Sequence, residues 1–245
     1  LERQLDVGML YASYSTGFRS GGFNSRGTTP NTVGPYDSES VDTFEVGART
    51  QFMDDRLTLN LTYFSSSYSD KQEQVVTAGD GSFIFDGQPE DCGGPTCTFV
   101  FNAGEVETSG VEFEGSFLAT NELLLRVAIG TLDAEYDKFD YAGLGDIANV
   151  AQVTYAPELT AAVGAEYITD MMGGEIALSA NFKYTDDSWG RTDWATYNPT
   201  YGPDVLIDSF ETLDLSATYT MALGDGELRV RVYGTDVLED GGRIA

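Results

Sequence analysis

The sequence contains no histidine among its 245 residues. Without histidine, the Ser-His-Asp and Cys-His arrangements that activate a catalytic nucleophile cannot form. No glycine-rich loop that could cradle a phosphate precedes a helical pattern, and nothing selects a catalytic pair among the 40 acidic residues. We therefore expect no enzyme activity, no resident metal and no cofactor.

Basic residues are scarce: Lys and Arg number 13 against 40 Asp and Glu, which gives a net charge of −27. Nucleic-acid binding needs basic patches that neutralise phosphates, so this balance argues against it. Long apolar runs are absent as well, and no stretch approaches the about 18 residues of a transmembrane helix. A membrane-spanning strand, however, needs only about 9–11 residues with every second one apolar.

Cysteine occurs only twice, as Cys92 and Cys97, with two glycines and a proline between them. This spacing favours a small disulfide-closed loop in an oxidising compartment. A metal site is the weaker alternative, because no histidine is present to complete it. The first residues do not form a signal peptide, which predicts a mature chain or a fragment of a longer one.

What the sequence does contain is a regular alternation of apolar and polar residues in segments of about ten, as membrane-spanning strands show. Tight turns fall at residues 53–56, 119–122, 169–174 and 221–226, and long polar loops near 17–39, 71–100, 138–156 and 187–207. Short turns at one end and long loops at the other are typical of an antiparallel up-and-down transmembrane β-barrel.

The alternation has period two, not 3.6, and predicts an all-β chain. Nine strands are expected, and ten if the fourth is broken near Gly110: residues 6–16, 40–52, 56–70, 101–118, 122–137, 157–168, 175–185, 211–220 and 227–236. A soluble β-sandwich would also show two-faced strands. Aromatic residues near the strand ends and the strict alternation of turn and loop lengths favour lipid.

Six segments carry a more specific pattern: the strand-to-loop stretch 10–24, Phe44-Glu45-Val46-Gly47, residues 57–72 with Tyr63-Phe64 and Gln72, Asn102-Ala103-Gly104-Glu105 followed by Gly110-Val111-Glu112, Ala156-Pro157-Glu158, and Val232-Tyr233-Gly234-Thr235-Asp236. In this order they resemble the C-terminal half of a TonB-dependent outer-membrane receptor. The resemblance covers essentially the whole chain.

That resemblance implies a 22-stranded barrel with a plugged lumen. Residues 1–245 would supply a C-terminal part of about ten strands, without the plug domain, the energy-coupling box or the final strand. An open half-barrel would leave unpaired backbone groups in lipid. We therefore expect the chain to be part of a larger polypeptide.

Two sets of candidate site residues follow. Polar strand faces, expected to line the lumen and contact the plug, carry Arg49, Glu112, Glu114, Arg126, Lys183, Asp214, Arg229 and Arg231. Loop residues that could contact a ligand are Arg19, Trp189, Trp194, Tyr197 and Tyr201. For the arginine, an exposed ion pair is the simpler alternative. For the aromatic residues, packing within the loop or an interfacial belt is equally well supported.

The resemblance predicts an active-transport receptor of the bacterial outer membrane that takes up a scarce siderophore or other nutrient. Its expected partners are outer-membrane lipid, the plug of the same polypeptide, a small-molecule ligand and the TonB energy complex, reached through the absent N-terminal region. A passive porin and a soluble secreted β-rich binding protein are the alternatives. The identity of the ligand does not follow from the fold.

Overall fold

The structure, a computed structural model, describes residues 1–85, 88–141, 145–190 and 206–238. It consists almost entirely of β-strands. In chain order these are β1 (Glu2–Leu5), β2 (Gly8–Arg19), β3 (Glu39–Phe52), β4 (Leu57–Phe85), β5 (Gln88–Leu118), β6 (Leu123–Tyr141), β7 (Gly145–Asp146), β8 (Leu159–Met171), β9 (Gly174–Thr185), β10 (Ser188–Trp189), β11 (Leu206–Ile207), β12 (Phe210–Leu223) and β13 (Gly226–Gly234). One short helix, α1 (Pro30–Val33), lies between β2 and β3.

Ten strands form one antiparallel sheet in the order β1-β2-β3-β4-β5-β6-β8-β9-β12-β13. Strand β7 pairs with the end of β6, and β10 pairs with β11 in a separate two-stranded sheet. The all-β, antiparallel prediction of about ten strands is confirmed. The tenth strand is β1, however, because β5 continues through Gly110 without a break.

Connections alternate in length as predicted, except that β4 ends at Phe85 and β5 begins at Gln88. The short connections β1–β2, β3–β4, β5–β6, β8–β9 and β12–β13 share one end of the sheet, and the long connections lie at the other. The turn between β3 and β4 places three successive residues, Met53, Asp54 and Asp55, in the left-handed region at φ of 58°, 55° and 65°. Such a compact left-handed segment reverses the chain within a few residues.

The prediction of a loop at residues 71–100 is wrong. Strands β4 and β5, of 29 and 31 residues, continue through this range as a paired hairpin. A strand needs only about 9–11 residues to span a membrane, so the hairpin extends far past any bilayer. Beyond that point neither face needs to be apolar, and the period-two signal is lost. Register shifts after Tyr68, where Asp70 has a φ of 55°, mark the start of this extension.

Most of the sheet is a single layer, and the buried apolar residues gather at the long-loop end. This apolar cluster consists of Cys97, Ala103, Val106, Tyr136, Phe139, Ile147 and Ala151. Within the described ranges, no helix is long and apolar enough to cross a membrane.

Candidate functional site

The strand register places all eight predicted lumen residues on one face of the sheet. Arg49, Glu114 and Lys183 belong to one row of directly opposed residues that crosses from β3 to β9. Arg126 and Asp214 belong to a second row, two residues further along each strand. Because side chains alternate with period two, residues in these rows share a face. The same parity places the remaining three there: Glu112, Arg229 and Arg231.

The charged face is only partly neutralised by its own contacts. Arg126 pairs with Glu166 at 3.2 Å, and their side chains remain 54% and 35% exposed. Arg49 lies over the ring of Tyr11 at 5.2 Å from the guanidinium carbon to the ring centroid. Lys183 lines a shallow recess with Arg126 and other polar residues. A polar surface of this kind suits water or a polar partner.

The opposite face is apolar and solvent-accessible. Thirteen of its large side chains are 38–54% exposed: Leu10, Val46, Leu61, Tyr63, Val111, Leu125, Ile129, Val163, Tyr167, Leu178, Leu215, Leu228 and Val230. A continuous apolar surface this large is an aggregation hazard in water and indicates an apolar environment or a partner. The apolar face and the charged face together form the arrangement of a membrane barrel wall.

At the long-loop end, the connection between β2 and β3 (residues 20–38, hereafter the first loop) is docked onto the hairpin through amide side chains. The Asn102 side chain pairs with the backbone of Asp37: its Oδ1 accepts from the Asp37 N–H at 2.7 Å, and its Nδ2 donates to the Asp37 carbonyl at 3.0 Å. Buried Gln72 donates through Nε2 to the carbonyls of Ser20 at 3.1 Å and Asp37 at 2.9 Å. Buried Asn24 in the loop donates to the Thr98 carbonyl of β5 at 2.6 Å.

The apolar cluster lies on the same face as the charged row. Tyr136 opposes Val106, but Phe139 opposes Gly104, so β6 carries one extra residue near Asp137. This β-bulge turns both aromatic rings to one face, where their centroids are 4.8 Å apart. Residues 145–153, which follow β6, fold back over the rings and bury Ile147 and Ala151.

Asp146 fixes the start of this folded-back segment. Its Oδ1 accepts hydrogen bonds from the backbone N–H groups of Phe139 and Ala148, both at 3.0 Å. These two hydrogen bonds hold the pKa of the Asp146 carboxyl below its ordinary value, because both favour the charged form. The bond from Phe139 has the larger effect and the bond from Ala148 the smaller.

The predicted disulfide is confirmed: Cys92 and Cys97 are bonded, with their Cα atoms 5.7 Å apart. Cys97 is buried in the apolar cluster and Cys92 packs against it. The disulfide therefore holds the Cys92 segment of β5 against the apolar cluster. Among the described residues, no group of three or more acidic, Cys or His side chains could hold a metal.

The predicted ligand-contacting residues are only partly described. Arg19 ends β2, and Trp189 lies in β10, where its carbonyl accepts from the Tyr155 N–H at 2.8 Å. No described contact joins the two residues. Trp194, Tyr197 and Tyr201 lie outside the described residues.

The amide contacts of the first loop were not predicted. Asn102 and Gln72 fall inside segments that carry the family resemblance, but that resemblance implies no role for either residue. Their partners lie 65 and 35 residues away, at Asp37. Nothing in the local pattern of either segment points to that residue.

Comparison with known proteins gives a family and a fold. The sequence model described as "TonB dependent receptor-like, beta-barrel" matches residues 4–235. Among solved structures, the ferric preacinetobactin receptor of Acinetobacter baumannii superposes with a TM-score of 0.65 at 18% identity, covering 96% of this chain and 30% of the receptor.

Two further receptors show the same fold. The ferric yersiniabactin uptake receptor of Yersinia pestis matches with a TM-score of 0.62 at 15% identity, over 93% of this chain and 33% of its own. The ferripyoverdine receptor of Pseudomonas aeruginosa matches with a TM-score of 0.61 at 17% identity, covering 96% of this chain and 28% of the receptor. The chain thus spans about a third or less of the length of these receptors.

Proposed function

The chain belongs to the TonB-dependent receptor β-barrel family, which is a family of transport receptors and not of enzymes, and from this premise we propose that it forms part of the wall of a bacterial outer-membrane receptor for active uptake. The observation that carries the proposal is the two-faced sheet. The exposed apolar face suits contact with lipid, and the charged face suits the lumen. The short turns are then periplasmic and the long loops extracellular.

The rest of the barrel comes from other strands of the same polypeptide. In the described chain β1 and β13 do not pair with each other, and lipid does not tolerate unpaired sheet edges. Residues 1–245 form the C-terminal part of the barrel domain, and a plug domain fills the lumen. The eight charged residues of the inner face contact that plug, because a filled lumen must satisfy its buried polar groups.

The ligand is a scarce nutrient, with a ferric siderophore as the first candidate. Support comes from the similar structures, which are described as receptors for ferric preacinetobactin, ferric yersiniabactin and ferripyoverdine. Arg19, Trp189, Trp194, Tyr197 and Tyr201 are the candidate ligand contacts in the loops. Energy is delivered by the TonB complex acting on the plug.

Uptake in a deletion strain tests the proposal. Cells that lack the full-length receptor are grown under iron limitation, complemented, and given ⁵⁵Fe complexes of catecholate, hydroxamate and mixed-ligand siderophores. We expect complementation to restore uptake of at least one complex, and loss of the TonB protein to abolish it. Uptake that persists without TonB would favour a passive porin instead. Extraction of the protein into buffer without detergent would favour a soluble binding protein and contradict the membrane assignment.

A further inference from the structure

The described chain buries four polar side chains: Asn24, Thr32, Ser66 and Gln72. Three of them lie where the first loop meets the hairpin or folds on itself. Burying a polar group is costly unless its hydrogen bonds are made. Here they are made, so the contacts form a satisfied network that holds the loop in one conformation.

Gln72 closes the neck of the first loop. Its side-chain amide donates to Ser20 at one end of the loop and to Asp37 at the other, and the Arg19 carbonyl lies at 3.5 Å. Its backbone N–H donates to the Glu39 carboxylate at 2.9 Å. One residue of β4 therefore fixes both ends of the loop, which removes the entropy that a free loop would keep.

Asn102 and Asn24 fix the loop at two further points. Asn102 engages both backbone groups of Asp37 and also donates to the Asp70 carbonyl at 2.7 Å. Asn24 bridges the Thr32 carbonyl within the loop and the Thr98 carbonyl of β5. Phe23, next to Asn24, remains 68% exposed and therefore adds little apolar burial to this docking.

We propose that the first loop is a preformed wall of the ligand-facing mouth and that Gln72 and Asn102 are its positioning residues. Ligand then binds a surface that already exists and does not have to order the loop. The inference rests on the proposed receptor function for its ligand-facing role, but the order of the loop is independent of any ligand. Preformed surfaces bind more tightly because the population of the competent conformation is not reduced.

Hydrogen–deuterium exchange of the full-length receptor in detergent, without ligand, tests the order of the loop. Wild-type amides over residues 20–37 should exchange slowly. Gln72→Ala or Asn102→Ala should accelerate their exchange at least about tenfold, because each variant removes hydrogen bonds that hold the loop to the hairpin. The matched control is Gln74→Ala, since Gln74 is an exposed glutamine two residues along the same strand. Rapid exchange in the wild type, or equal acceleration in the Gln74→Ala control, overturns the proposal.

Uptake kinetics test the positioning role. With ⁵⁵Fe complexes of one catecholate and one hydroxamate siderophore as probes, Gln72→Ala and Asn102→Ala should raise the KM by at least about tenfold and leave the maximal rate within about twofold, because only the competent fraction falls. An unchanged KM with a reduced maximal rate overturns the positioning role. If the wild type transports neither complex, the proposed function loses its support, whereas the exchange result still decides whether the wall is preformed.

Discussion

The hydroxyl of Tyr136 donates to the carboxylate of Glu73 at 2.7 Å, although β5 lies between their strands. Glu73 also pairs with Lys71 at 3.2 Å, and the Lys71 and Glu73 side chains are only 23% and 15% exposed. The ion pair lies within β4 and is largely buried, and the Tyr136 hydroxyl bond to Glu73 joins it to β6 beside the apolar cluster.

Removing this hydroxyl should loosen the cluster without dismantling it. Tyr136→Phe keeps the ring contact with Phe139 and loses a hydrogen bond to a charged group, worth about 1.5–3 kcal/mol. Hydrogen exchange over residues 136–151 measures the free energy of local opening. Tyr14→Phe is the control, because Tyr14 makes an equivalent bond to Asp42 at 2.9 Å from an exposed position. Equal effects of the two variants would contradict the structural importance of the Glu73 contact.

The disulfide should stabilise the hairpin and not the membrane wall. Cys92→Ala combined with Cys97→Ala opens a loop with a sequence separation of 5, for which loop entropy predicts a cost of about 2 kcal/mol. We expect faster hydrogen exchange over residues 92–106 and an unchanged heat-modifiable mobility of the barrel on SDS gels. Reduction of the wild type should reproduce the exchange result. Loss of the heat-modifiable form in either case would show that the bond also supports the barrel.

The part of the fold that sequence predicts is the part that lipid would constrain. Leu57, Leu59 and Leu61 alternate with polar residues because one face is apolar and the other charged, so β4 was predicted at its membrane end. Past Asp70 β4 is longer than a membrane-spanning strand needs to be. The alternation ends there, so the sequence pattern predicts a loop where the structure has a strand. Strand β1 was missed because its four residues are too few to show a period.

Contacts at the candidate site were less predictable. That the eight charged residues share one face could be predicted, because period two assigns a face to every residue of a strand once the face of one residue is known. The docking of the first loop depends on Asn102 contacting Asp37. The apolar cluster depends on the bulge near Asp137, which places Phe139 beside Tyr136. Both relations join residues through tertiary structure, so no local pattern encodes them.

The two faces of β6 should respond oppositely to a new charge. Ile129 lies on the apolar face and is 40% exposed, whereas its neighbour Ala128 lies on the charged face. Ile129→Lys should destabilise the folded receptor in lipid by about 2–4 kcal/mol, and Ala128→Lys by much less. Urea unfolding in phospholipid vesicles measures the difference. Similar losses for both variants would contradict the assignment of faces.

Acid should detach the folded-back segment at residues 145–151. Because the pKa of Asp146 is lowered in the folded state, its stabilising contribution is complete above the unfolded value of about 3.9 and is lost as pH falls through the lower folded value. Exchange over residues 145–151, corrected with an unstructured peptide, should rise below about pH 3.9. Asp146→Asn keeps an oxygen acceptor but cannot titrate, so its profile should be flat. The same acid-induced rise in both proteins would exclude Asp146 as the cause.

Charge removal on the inner face should affect the plug more than the wall. The ion pair of Arg126 with Glu166 is substantially exposed in the sheet, and exposed pairs contribute about 0–1 kcal/mol, so Arg126→Ala should barely change barrel unfolding. If the inner face holds the plug, the same variant leaves plug carboxylates unpaired and should increase protease cleavage of the plug in the full-length receptor. Arg26→Ala removes an equal charge from the exposed first loop and serves as the control. Equal plug protection in the two variants would argue that the lumen charges face water and not the plug.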